Sequence, residues 1–244
     1  SSQQERGETF VVATIRNRKQ RGFGLGPGRR LAGKYEVEGV LGAGIEGEVY
    51  HVVEMATGIE RAAKLFFPER NLKNRAVNHY AKKLNELRDC DILIQYHTQD
   101  SFQFRGERVT FLVSDYVEGE ILREFVRRQP ERRLHPFEAV HLLHPLIAGL
   151  EQIHDAGEYH GDVHWENIIV QREGLGFEVK LIDFYEWGRR TGEHVVDDVC
   201  NAIRVFYDIL GGAQHYAALP PCIKHICCGL KRSIIRRRFR TATH

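Results

Sequence analysis

No run of apolar residues in this chain approaches the roughly 18 needed to cross a bilayer, which argues against a membrane span. No two cysteines are spaced CxxC. The five cysteines are an odd number: Cys222, Cys227 and Cys228 crowd together, while Cys90 and Cys200 stand alone. A zinc site and a disulfide framework are therefore not expected, and a reducing, cytoplasmic setting is. No repeat occurs at a solenoid period. The opening, Ser1 to Gly7, is polar and shows no secretory signal. What is present is ordinary for a globular protein. With 42% hydrophobic and 28% charged residues, the 244-residue chain is neither collagen-like, mucin-like nor wholly disordered. A chain of this length buries roughly 70–75% of its unfolded surface, enough for a core without covalent staples.

Acids are missing from the carboxyl-terminal stretch: none follows Asp208, whereas seven Lys/Arg do. Residues 1–34 carry eight Lys/Arg against two acids, and residues 35–208 carry a net charge of −11. Basic ends can serve nucleic acid, an anionic membrane or an acidic partner, or they can form a solvated helix face packed on an acidic body. The packed face is the expectation, nucleic acid is not the expected partner, and an acidic partner for the termini stays open.

Along the chain, Thr9 to Ile15 reads as a strand. The glycine-rich stretch Arg21 to Gly28 reads as a linker, making residues 1–34 a basic arm. Tyr35 to Leu41 alternates like a half-buried strand. Val49 to Met55, Arg61 to Phe67 and Val109 to Val113 are further strands, with a turn at Thr57-Gly58. Apolar residues at 76, 77, 80, 81, 84 and 87 predict a helix over 74–87. Pro136 to His154 predicts a long helix that Pro145 should kink or interrupt. Ile168–Val170 and Val179–Ile182 flank a turn at Gly174–Gly176 and predict a hairpin. Val195 to Leu210 predicts a buried helix ended by Gly211-Gly212, and Cys222 to Arg238 a last, basic helix. The layout is α+β: a sheet-rich part with one helix, residues 35–117, then a mostly helical part, residues 118–244, with the cut near Asp115 to Gly119.

Three stretches carry chemistry. Gly42-Ala-Gly44-Ile-Glu-Gly47 is a GxGxxG followed by β-branched Val49. Strand residues on both sides make it a glycine hairpin able to cover phosphates with backbone N–H groups; an ordinary glycine hairpin is the alternative. Lys64 lies inside an apolar strand, where an ammonium needs a partner such as phosphate oxygens. In His160-Gly-Asp162-Val-His164-Trp-Glu-Asn167, an acid and an amide five residues apart run into an apolar strand. The carboxylate can accept a hydroxyl proton, and the amide oxygen can bind a hard cation. Asp183 closes the next apolar strand, poised to hold Mg²⁺ at a phosphate.

This ordered set, from about Tyr35 onward, resembles the protein-kinase-like superfamily. It is similar to a minimal, bacterial-type Ser/Thr protein kinase of bilobal fold with a reduced, mostly helical C-lobe. Phe111 to Gly119 resembles that family's interlobe hinge, and Asp198 to Gly211 resembles the buried helix of its lower lobe. The resemblance implies an ATP- and Mg²⁺-dependent kinase, with Mn²⁺ as a substitute, acting on Ser/Thr of a protein substrate or of itself. It implies that Gly42, Gly44, Gly47 and Val49 cover the nucleotide. It further implies that Lys64 holds phosphate, that Asp115 and Val117 read adenine, that Asp162 is the base, and that Asn167 and Asp183 bind metal.

Departures keep two alternatives open, a small-molecule phosphotransferase and a nucleotide-binding pseudokinase. Gly161 stands where regulated kinases carry Arg. Asp198 follows Asp183 by only 15 positions, with no Ala-Pro-Glu, so activation-segment phosphorylation is not the expected switch. His164 replaces the usual Lys and is read as a γ-phosphate donor or a loop histidine. Tyr185 replaces a glycine. The acid partner of Lys64 is either Glu86, the only acid between Arg70 and Arg88, or another acid, since a different alignment places Tyr80 there.

Overall fold

The computed structural model describes residues 22–184 and 190–242. The expected strand at Thr9–Ile15 and the chain path at Tyr185, Trp187 and Gly188 lie outside them. The fold is α+β in two compact units. One runs through Asn85 and adds Gln95–Tyr116; the other takes Glu86–Ile94 and the chain from Val117 onward.

The first unit is an antiparallel sheet in the order β1-β2-β3-β4-β6-β5. Its strands are β1 (Arg30–Leu31), β2 (Tyr35–Ala43), β3 (Gly47–Glu54), β4 (Glu60–Phe66), β5 (Tyr96–Phe104) and β6 (Glu107–Asp115). Helix α1 (Arg75–Glu86) sits between β4 and β5 in sequence. Side chains alternate across a sheet. Tyr50, Ala63 and Val113 therefore share one face, and with Val37, Val52, Leu65 and Phe111 they form a closed core. Lys64 pairs with Val49 and Leu112 in the neighbouring register and belongs to the opposite face.

The linker expected over residues 21–28 is corrected from Gly22 onward. Phe23, Leu25 and Leu31 are buried in the sheet core. The Gly28 N–H donates to the Val37 carbonyl and the Val37 N–H to the Arg29 carbonyl, both at 2.8 Å. Glycines make the bends, with φ of +61° at Gly24 and +81° at Gly28, and the apolar residues between them face inward. Strand β5 escaped the sequence reading because it is an edge strand: its residues are polar and half-exposed.

The second unit is mainly helical, with a small sheet β7-β8-β9 formed by β7 (Glu120–Ile121), β8 (Ile168–Glu173) and β9 (Gly176–Leu181). Its helices are α2 (Leu122–Arg127), α3 (Pro136–Asp155), α4 (Gly192–Ile209), α5 (Gly212–Tyr216), α6 (Pro221–Cys227) and α7 (Arg232–Arg238). His135 caps α3 in a capping box with Glu138. Pro145 does not interrupt α3. Leu142, Leu146, Leu150 and Ile153 are fully buried along it, and that packing outweighs the backbone hydrogen bond the proline removes. The single basic helix expected over 222–238 is instead broken into α6, a tight turn and α7. Cys228, Gly229 and Leu230 there have φ of +53°, +57° and +57°. Arg232 and Arg236 pair with Glu193 of α4, and Arg232 also with Asp197. Part of the basic run is thus a face packed on acids. Among the described residues, no helix is long and apolar enough to cross a membrane.

Phe206 of α4 is fully buried. Its replacement by Ala should cost about 3–5 kcal/mol. Arg232→Ala, which removes only half-exposed ion pairs, should cost under ~1 kcal/mol. Urea unfolding of both variants measures the difference.

Candidate active site

In the first unit, β2 and β3 close into the expected glycine hairpin, and the Gly44 N–H donates to the Gly47 carbonyl at 2.8 Å. A side chain at Gly47 would strike the Leu65 carbonyl of the neighbouring strand, so glycine is required there by close approach. Space is open around Gly42 and Gly44, and neither has positive φ. Among the described residues nothing demands glycine at these two, which fits a backbone kept bare for a ligand. Gly42 pairs with Val49, and Val49 with Lys64, so the three lie in one row across the sheet.

The Lys64 side chain is 14% exposed. Its Nζ lies 3.5 Å from Glu46 Oε2 and 4.5 Å from the centre of the Tyr80 ring. Glu46 is on the hairpin and Tyr80 on α1. The carboxylate and the aromatic face both favour the ammonium. Glu86 is exposed at the end of α1. Asp115 ends β6, and its Oδ1 accepts from Arg61 at 2.8 Å and faces His97 Nε2 at 2.5 Å. Its side chain is therefore held by its own strands. Val117 is half-buried in the second unit.

In the second unit the site is built on Asp198 of α4, whose side chain is fully buried. One carboxylate oxygen accepts the His160 N–H at 2.8 Å and faces His154 Nε2 at 3.0 Å; the other accepts the Gly161 N–H at 2.9 Å. Gly161 has φ of +82°, which explains glycine at this position without reference to any missing arginine. The loop then turns so that the Asp162 N–H reaches His160 Nδ1 at 3.2 Å.

Asp162 Oδ2 accepts the Asn167 amide at 2.9 Å and lies 3.4 Å from His164 Nε2. Both partners hold the same oxygen, and among the described residues no hydrogen bond ends on Oδ1. Burial pushes the Asp162 carboxyl up. The hydrogen bond and charge of His164, followed by the Asn167 amide and the charge of His160, outweigh burial and hold it below the usual aspartate value. The Glu166 N–H meets His164 Nδ1 at 3.2 Å and so aims the other ring nitrogen at Asp162.

Asn167 donates through nitrogen to the Asp162 carbonyl as well, at 3.1 Å, so both contacts use its nitrogen and neither uses its amide oxygen. The Ile182 N–H donates to the Asn167 carbonyl at 3.0 Å, tying Asp183 to Asn167. Asp183 itself has φ of +56°, an unfavourable backbone state for a non-glycine residue and one found at functional sites. An amide oxygen and a carboxylate held on adjoining segments are hard donors that suit Mg²⁺. Asp198, read in the sequence only as part of a helix, is the positioning residue that reading missed. An acid amid Val195, Val196 and Val199 was the available signal.

The sequence model of the protein kinase domain matches residues 35–200. The chain belongs to the protein kinase domain family. It is 30% identical over 162 residues to a probable serine/threonine-protein kinase of Streptomyces coelicolor, covering 64% of this chain and 23% of that one. It is 28% identical over 189 residues to the probable serine/threonine-protein kinase PknB of Corynebacterium glutamicum, covering 76% and 27%. It is 24% identical over 159 residues to the serine/threonine-protein kinase PrkC of Bacillus subtilis, covering 64% and 23%. The matched region spans about a quarter of the length of these relatives.

Asp198→Ala strands two backbone N–H groups in the interior. It should lower unfolding stability by about 3 kcal/mol or more. Thermal and urea unfolding read the loss. His164→Gln removes a group that lowers the Asp162 pKa, so that pKa should rise toward the ordinary aspartate value. With a depressed pKa, stabilisation by Asp162 is complete above its unfolded value and lost as pH falls through the folded one. In the variant the loss should therefore begin at higher pH, which a carboxyl titration by NMR measures.

Proposed function

We propose that this chain transfers the γ-phosphoryl group of ATP to serine or threonine hydroxyls of a protein, its own included, with Mg²⁺. The supporting observation is the loop pinned by Asp198, in which the Asp162 carboxyl is held below the usual aspartate value and, among the described residues, has one oxygen without a hydrogen bond. Membership in the kinase family and the names of its bacterial relatives support it.

In this reading, the bare backbone of Gly42 and Gly44, with Gly47 and Val49, covers the nucleotide, and Asp115 and Val117 contribute backbone groups to adenine. Lys64 exchanges its carboxylate partner, Glu46, for phosphate oxygens. Asn167 and Asp183 would hold Mg²⁺, which supplies neutralisation of phosphate charge. Asp162 Oδ1 orients the acceptor hydroxyl and takes its proton as the hydroxyl oxygen bonds to phosphorus and the bond to the ADP oxygen breaks. His164 steadies Asp162 through Oδ2 and remains a donor candidate for the γ-phosphate.

Purified protein with labelled ATP and Mg²⁺ should place label in protein, acid-stable as a phosphomonoester of Ser or Thr. Label confined to a soluble metabolite would overturn the protein acceptor. Asp162→Ala should reduce turnover by a factor of at least ~10² while nucleotide affinity changes little; turnover that survives removes Asp162 as the base.

A further inference from the structure

The segment before the first strand contacts the glycine hairpin through a route that none of the assigned roles uses. The Phe23 N–H donates to Glu48 Oε2 at 3.0 Å. The Tyr50 hydroxyl donates to the same carboxylate oxygen, and the Leu25 N–H reaches that hydroxyl at 3.3 Å. The Phe23 ring stacks on Phe67 at 5.1 Å and meets Phe104 edge-on at 5.5 Å. Phe23 and Leu25 are only 5% and 6% exposed. Phe67 in turn donates its N–H to the Glu46 carbonyl at 2.9 Å. Glu46 and Glu48 flank Gly47, the residue at which the hairpin rejoins the sheet.

We propose that the face of the amino-terminal sheet opposite Lys64 is a docking groove for the chain's own segment Gly22–Leu25, and that docking fixes the return limb of the glycine hairpin. The occupant is specified by what it touches. An aromatic ring fills the space between Phe67 and Phe104, while backbone N–H groups satisfy a half-buried carboxylate and a phenol that would otherwise lack these partners. The limb is then gripped twice: at Glu48 by a hydrogen bond from the segment, and at Glu46 through the stacked Phe67. A hairpin of glycines has little stiffness of its own. Its position is set by what clamps its ends, so undocking should loosen it while the sheet beneath persists. The consequence for ATP rests on the kinase reading; the mechanical coupling does not.

The test compares the full chain with Phe23→Ala, Glu48→Ala and Phe23→Leu by amide hydrogen exchange and steady-state kinetics. In the Ala variants, exchange at Gly44 and Phe67 should quicken about tenfold, the effect of losing roughly one hydrogen bond's worth of support, with amides of α4 unchanged. The KM for ATP should rise by a similar factor with kcat little altered, and Phe23→Leu should restore most of both. Unchanged exchange at Gly44 and Phe67 in both Ala variants would overturn the proposal. So would equal acceleration at α4, which would make the segment a general cover. Absence of turnover in the intact chain would overturn the kinase reading alone, and the two amides would still decide the docking.

Discussion

A single buried carboxylate organises the second unit. Asp198 has no exposed surface, and an unpaired charge there would be prohibitively unfavourable. Its stability in that place depends on donors that arrive from elsewhere in the chain: the backbone of His160 and Gly161, and the ring of His154. The dependence is mutual. Asp198, on a rigid helix, anchors the loop through the backbone of His160 and Gly161. Asp162 lies one residue beyond the anchored pair, so its position rests on α4 together with the loop contacts of His160, His164 and Asn167. The β8–β9 hairpin joins the segments of Asn167 and Asp183 in the same way: Asn167 precedes it, Asp183 follows it, and the Ile182 N–H donates to the Asn167 carbonyl.

The first unit solves a different problem with strand periodicity. One face of the sheet must be dry to hold the unit together, and the other carries the charged Lys64 side chain. Because successive residues of β4 point in opposite directions, Ala63 and Leu65 serve the core while Lys64 between them does not. The ammonium then sits on aromatic rings and beside a hairpin carboxylate. Glu46 thus places a carboxylate of the hairpin beside the Lys64 ammonium.

Legibility in the sequence followed the range of the interactions. The glycine hairpin, the β8–β9 hairpin and the spacing from Asp162 to Asn167 are local, and they read correctly from pattern alone. The docked segment did not, because its glycines signal a linker while the inward placement of Phe23 and Leu25 shows only once Phe67 and Phe104 have folded beside them. Pro145 was overweighted for the same reason: buried leucines on either side of it belong to contacts distant in sequence. The neighbours of Lys64 were also out of reach of pattern. Tyr80 had been noted as an alignment possibility, but its ring over the ammonium is a tertiary fact, as is the carboxylate of Glu46.

The departures from the family pattern become coherent when placed on this frame. An arginine before the catalytic aspartate is useful where a phosphate must be gripped to order the loop. Here Gly161 adopts a positive φ and delivers its N–H to Asp198. His164, in place of lysine, turns onto the carboxylate it follows. Both changes draw the loop's contacts inward, onto α4 and onto Asp162 itself. Among the described residues, the loop that carries Asp162 is thus held by the Asp198 carboxylate, the Asn167 amide and the His164 ring.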